Sequence, residues 1–140
     1  MTQIESTLKV RSVAEAIFAT HAKHYFPIDP IPAPRMTQSD KWKKRKCVLE
    51  YFGYKRAIYV ESLINGCKLG PVLNICFVIP MPQSWSKKKR AEMLAMPHQQ
   101  KPDRDNLLKA FQDAFGEDDS HVWDGRTIKL WGEVGAIYVF

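Results

Sequence analysis

The sequence predicts an α+β fold. Helical and extended patterns are interspersed without the regular β-α-β rhythm of a doubly wound sheet. The clearest strand is an apolar, β-branched run over 72–80 that Pro80 stops, and the clearest helix is an amphipathic segment over 106–115 that Gly116 ends. At 140 residues the chain fits one core of ordinary size, burying roughly two thirds of its unfolded surface.

The elements follow in order. Ser12-Val13-Ala14-Glu15 reads as a capping box, with Ser12 as N-cap and Glu15 three residues on. The helix it opens is expected to reach about His24, with Val13, Ala16 and Ile17 as its buried stripe. Pro27, Pro30, Pro32 and Pro34 then forbid helix and favour an edge strand or a polyproline-like arm. Over 40–59, Val48, Tyr51, Phe52, Lys55 and Tyr59 follow a helical period, so one helix is expected there, with a break near Gly53. Asn65-Gly66 marks a turn before strand 72–80. Ser84-Trp85-Ser86 leads into a short basic helix that ends before Pro97. Pro102 biases Lys101 towards extended backbone, and Asp105 or Asn106 is the expected N-cap of helix 106–115. Two short strands, 127–131 and 136–140, joined by a turn at Gly132 to Gly135, close the chain.

Several function classes fall away. No apolar run reaches the ~18–20 residues that span a bilayer. The N-terminus lacks a basic start and an apolar h-region, so no secretory signal is read. Cys47, Cys67 and Cys76 are odd in number and widely spaced, which predicts reduced thiols in a cytoplasmic protein. His21, His24, His98 and His121 add no zinc spacing.

The net charge is +6, but its distribution says more. Between Asp103 and Asp124 lie seven acids and two bases, a local −5, and the remainder carries 19 bases and 8 acids, or +11. At 100° per residue, Leu107, Leu108, Phe111, Ala114 and Phe115 span about 120° of the 106–115 helix. Lys109 and Asp113 then lie opposite this core face, and Asp105 and Lys109 share one polar face four residues apart. In extended backbone Asp103 would point the same way as Asp105. Two carboxylates held close repel, and a hard divalent cation relieves them. Mg²⁺ is typically held by one or two carboxylates plus water and substrate phosphate. A third acid from Glu117-Asp118-Asp119 is available after the helix. Such a site suits phosphodiester hydrolysis: the metal activates water and neutralises phosphate oxygens, and Lys109 stabilises the charged transition state. Each feature alone has a plainer reading: a D-x-D loop with its N-cap, a solvated Lys109, a solvated basic face over 41–46. Their coincidence on a basic chain is what points to a metal site within a polyanion-binding surface.

Asp103-Arg104-Asp105-Asn106-Leu107-Leu108-Lys109-Ala110, then Asp113-Ala114-Phe115, then Asp118-Asp119-Ser120-His121-Val122 and a later Lys129, resemble the RusA family of Holliday junction resolvases, found widely in phages and prophages. The family pattern is D-x-D-N-x-x-K, a helix ending in D-A-L or similar, a variable loop, D-D-[SA]-Q-[VI] and a strand with a lysine. Pro32-Ala33-Pro34-Arg35-Met36-Thr37 resembles the first strand of phage members. The resemblance divides the chain into an N-terminal helical extension, 1–26, and an endonuclease domain, 27–140.

The resemblance implies a small mixed sheet packed with helices, in a homodimer. It implies a catalytic set of Asp103, Asp105, Lys109 and Asp119, with Asp103, Asp105 and Asp119 as metal ligands and Asp118 as a supporting acid. His121 stands where the family has glutamine, and the loop before Asp118 is only Gly116-Glu117. An alternative register makes Asp124 the third acid. The cofactor implied is Mg²⁺, with Mn²⁺ as an alternative, no small-molecule cofactor and no membrane partner. The activity implied is paired symmetric nicking of four-way DNA junctions in recombination and repair, in a bacterial host cytoplasm. A two-fold dimer suits a two-fold substrate. Arg35, Lys41, Lys43, Lys44, Arg45, Lys87, Lys88, Lys89, Arg90 and Arg104 are the expected phosphate contacts, which hold DNA without reading its sequence. The competing readings are a nucleic-acid binder with structural acids, and a related metal nuclease for flap or other branched DNA.

Overall fold

The most apolar strand becomes the centre of the sheet. β2 (Ile75–Pro80) has its first four residues buried. It is flanked on both sides, antiparallel by β4 (Ala136–Val139) and parallel by β3 (Thr127–Gly132), and β1 (His24–Phe26) adds antiparallel to β4, giving the order β1-β4-β2-β3. The helices are α1 (Lys46–Asn65), α2 (Lys87–Met93) and α3 (Arg104–Asp113), with a 3₁₀ turn at Asp119–His121. This computed structural model describes residues 21–35, 45–116 and 119–140, and of Asp119 the backbone alone. The Ser12 capping box and its helix to residue 20, Lys41, Lys43, Lys44, Glu117 and Asp118 lie outside the described residues. The architecture is α+β, as the residue pattern predicts, with the mixed sheet that the resemblance implies.

Period-two alternation divides the core. Ile75, Phe77, Ile137 and Val139 face the helices, where they meet Tyr51, Tyr54 and Ile58 of α1 and Leu107, Ala110 and Phe111 of α3. Cys76, Val78, Leu130, Ala136 and Tyr138 form a smaller cluster on the other face. Lys129 lies one residue from Leu130, so it points to the helical side, towards α3.

Four expectations are corrected. The helix read as reaching His24 stops earlier. His24 pairs with Val139, and the strand drives Phe26, 0% exposed, into the core. The sheet therefore begins before residue 27. Strand 72–80 begins at Ile75, and Val72 makes only an isolated bridge to Asp124. α1 passes through Gly53 unbroken. A helical glycine costs about 1 kcal/mol relative to alanine, and the buried face of Val48, Tyr51, Tyr54, Ile58 and Ser62 outweighs it. The two C-terminal strands are not neighbours, because β2 lies between them and the chain crosses its end after Gly132.

Other expectations hold. Gly66, at φ 78°, closes α1 with its N–H on the Ser62 carbonyl at 2.9 Å, the left-handed cap that glycine accepts without strain. The proline segment forms no strand and runs as an irregular arm, its Ile28, Ile31 and Ala33 packed on the core. Ser86 caps α2, its hydroxyl accepting from the Lys89 N–H. Among the described residues no helix is long and apolar enough to cross a membrane. The three cysteines form no disulfide.

Candidate active site

The site is built at the start of α3. The helix begins at Arg104, two residues before the expected start, so Asp103 rather than Asp105 or Asn106 holds the N-cap position. Asp103 is extended (φ −70°, ψ 148°), and its carbonyl accepts the first helical bond from the Leu107 N–H at 3.1 Å. Asp105 lies in the first turn, where N–H groups need no intrahelical acceptor and the positive helix end favours a carboxylate. The alignment of Asp103 and Asp105 through extended backbone therefore does not apply. The Asp103 side chain makes no capping bond. Its carboxylate is exposed, as is that of Asp105.

α3 is seated firmly. Leu107, Ala110 and Phe111 are 0% exposed. The Phe111 ring meets Phe26 and Phe77 edge-to-face at 5.3 and 6.4 Å. On α1, the Tyr51 hydroxyl donates to the Asp113 carboxylate at 2.7 Å. Burial, then that carboxylate, push the Tyr51 phenol well above its ordinary range.

This seating leaves Arg104, Asp105 and Leu108 along one wall of a cleft of about 610 Å³. The cleft is lined as well by Asn74, Asp124 and Arg126, on two segments that run side by side. Leu73 N–H donates to the Asp124 carbonyl, Ile75 N–H to the Arg126 carbonyl, and Arg126 N–H to the Asn74 side chain, each at 2.9 Å. Gly125, at φ 143°, is obligatory here, because a Cβ would overlap the Leu73 carbonyl. Two carboxylates, Asp105 and Asp124, thus share a cleft with two guanidiniums, Arg104 and Arg126. Arg104 also leans on the Thr127 carbonyl at 3.4 Å.

Behind Asp103 sits Lys129. Its ammonium donates to the carbonyls of Gln100 at 2.8 Å and Pro102 at 2.7 Å, fixing the backbone that delivers Asp103. Burial lowers the Lys129 pKa. The Asp103 carboxylate opposes this and the Arg104 guanidinium adds to it. His98 is buried against Trp131, with ring centroids 4.3 Å apart, and its backbone N–H donates to the Lys129 carbonyl at 3.0 Å. Burial, with the nearby Lys129 charge, lowers the His98 pKa too. Residue reasoning left Lys129 without a role beyond the family pattern. The available signal was a lysine between Ile128 and Leu130 in an apolar strand.

The structure brings Arg104, Asp105 and Asp124 to one cleft, whereas Asp103, the N-cap residue near Lys129, is not among the residues that line it. Lys109 is exposed one turn beyond Asp105 and does not line the cleft. Asp119 lies in the 3₁₀ turn, and its side chain is outside the description, as is Asp118. Among the described residues no three of His, Cys, Asp and Glu come close enough to hold a metal. The donors that do line the cleft are hard carboxylate oxygens, and Mg²⁺ needs only one or two of them beside water and phosphate. The residues present therefore fit that ion. His121 Nε2 donates to the Leu69 carbonyl at 3.0 Å, pinning the turn, so the residue in the glutamine position has a structural bond here.

The cations divide into groups. Arg45 Nη2 donates to the Arg35 carbonyl at 3.0 Å, joining the proline arm to α1. On α2, Lys87, Lys88 and Lys89 are exposed, Lys89 lies 4.3 Å over the Trp85 ring, and Arg90 donates to the Pro82 carbonyl at 2.8 Å. Trp85 in turn rests on Trp131, centroids 4.8 Å apart. That places the α2 cations at the far end of β3, roughly 13 Å along the strand from Thr127.

Residues 27–140 match the family model of endodeoxyribonuclease RusA. No curated protein and no solved structure matches the chain.

Proposed function

The chain belongs to the RusA family of endodeoxyribonucleases, and from that premise we propose that it is a Mg²⁺-dependent nuclease that resolves four-way DNA junctions by paired symmetric nicks. The observation that carries this reading is the cleft lined by Asp105 and Asp124 together with Arg104 and Arg126, with Asp103 at the N-cap of the helix that delivers Asp105. A plain nucleic-acid binder has no reason to gather carboxylates where phosphate must approach.

Asp103, Asp105 and Asp119 would hold the ion, with Asp118 as supporting acid, and Asp124 competes for the third place from its position in the cleft. Mn²⁺ is the alternative ion. The bound metal supplies an activated water and charge neutralisation at the scissile phosphate. The chain's own groups do the rest. Arg104 and Arg126 hold the flanking phosphate oxygens, and Lys109, one turn above Asp105, stabilises the negative charge that develops on the phosphoryl group. Lys87 and Lys88, with Arg35, Lys41, Lys43, Lys44 and Arg45, grip the more distant arms through phosphate.

The reading includes a homodimer that presents two clefts to a two-fold junction in DNA recombination and repair. Its support is the outer face of α1, where Leu49, Phe52, Val60, Leu63 and Ile64 are 48–73% exposed along one helix. The absence of any disulfide suits a cytoplasmic setting.

Incubation of a synthetic mobile four-way junction with the protein and Mg²⁺ tests the proposal. Paired nicks at symmetric positions are expected, and chelation of the metal should abolish them. Asp103→Asn should bind the junction as wild type does, since phosphate contacts supply the affinity, and should not cut it. An Asp103→Asn protein that cuts at the wild-type rate contradicts the metal site.

A further inference from the structure

Trp123 is 77% exposed, the most exposed of the large apolar side chains described. Its backbone is firmly held. The Trp123 N–H donates to the Pro71 carbonyl at 3.0 Å. The next residue, Asp124, bridges Val72 and accepts from the Leu73 N–H at 2.9 Å. Gly125 is packed so tightly on Leu73 that no side chain fits. The indole therefore projects from a fixed segment and loses little freedom when something settles on it.

Its surroundings point to what that is. Trp123 edges a hollow of about 270 Å³ that shares Leu108, Asp124, Gly125 and Thr127 with the main cleft. The hollow beside Trp123 therefore adjoins the cleft that Asp105 lines, across these shared residues. Arg104 and Arg126 line the adjoining cleft and offer guanidiniums to a nucleic-acid backbone. An aromatic platform beside guanidiniums suits single-stranded nucleic acid. Every base has a π-face, so stacking tolerates any sequence. In continuous duplex those faces are covered by neighbouring bases, and at a branch point some are open.

We propose that Trp123 is a stacking platform for an unpaired nucleobase beside the cleft, and that it distinguishes branched DNA from continuous duplex by whether a base face is accessible. This rests on the reading of the chain as a nuclease of branched DNA. Fluorescence anisotropy with a labelled four-way junction and a linear duplex of the same sequence tests it, with Ca²⁺ replacing Mg²⁺ to hold off cutting. Trp123→Ala should weaken junction binding about 10-fold or more and shift duplex binding less than about twofold. Trp123→Phe should keep most of the junction affinity. The exposed position makes misfolding of either variant unexpected, and matching thermal midpoints would establish that. Unchanged junction binding by Trp123→Ala overturns the platform. So does an equal loss on both DNAs, which would mean a general phosphate effect. The readout is binding preference, so a wild type that binds junctions without cutting them sinks the nuclease reading and leaves this result legible.

Discussion

The two ends of β3 carry opposite chemistry. At the Thr127 end lie the carboxylates of Asp105 and Asp124 with Arg104 and Arg126. At the Trp131 end lies an aromatic stack of Trp85, Trp131 and His98, topped by the α2 cations. Lys129 stands between them, its ammonium turned to the backbone in front of Asp103. One strand thus separates the site proposed to cut phosphate from the cations proposed to hold it. The difference shows how a basic chain accommodates part of its acidic segment: Asp105 and Asp124 share the cleft with two guanidiniums, and the lysines of α2 stand exposed at the other end.

The comparison breaks most sharply at Lys129. Lys129→Met removes both bonds to the Gln100 and Pro102 carbonyls, so the backbone before Asp103 loses its anchor. A misplacement of about 1 Å at a reacting centre costs on the order of 100-fold in rate. Single-turnover cleavage should fall by that order, with junction affinity unchanged, because this ammonium is spent inside the protein. Lys129→Arg, which can still donate to a carbonyl, should recover part of the rate. A Lys129→Met protein with the wild-type rate would mean that the cleft positions Asp103 without this lysine.

The other end should respond in the reverse sense. Lys87→Gln with Lys88→Gln removes two exposed cations far from the acids. Junction affinity should fall severalfold, and the slope of log affinity against log salt should drop by about 1.8 if both contact phosphate. Cleavage of saturated junction should not change. A rate loss at saturation would join the two ends into one site.

Much of this layout is legible in the residues, and the reason for the rest is physical. Local signals are sound: Gly66 caps α1, Ser86 caps α2, and the apolar period of α3 identifies its buried face. Signals that depend on long-range pairing are not. Nothing local says that β2 lies between β3 and β4, or that His24 pairs with Val139. That Asp105 and Asp124 line one cleft depends on how α3 packs beside β3 and on the pairing that sets Ile75 against Thr127, neither of which is visible along the chain. The start of α3 is missed for a subtler reason. Asp103, Asp105 and Asn106 are all good cap residues, and the choice of Asp103 falls to the backbone that Lys129 holds. Lys109 and Asp105 share the polar face that the helical period predicts, yet only Asp105 lines the cleft.

The divalent ion is proposed to bind at the Thr127 end of β3. Paramagnetic broadening of backbone amide signals by substoichiometric Mn²⁺ tests it most directly. The strongest loss is expected for the signals of Asp103, Arg104, Asp105, Asp119 and Asp124 to Arg126, with Lys87 to Arg90 affected much less and with reversal by excess Mg²⁺. Broadening that centres elsewhere, or that spreads evenly over the exposed acids, would contradict it.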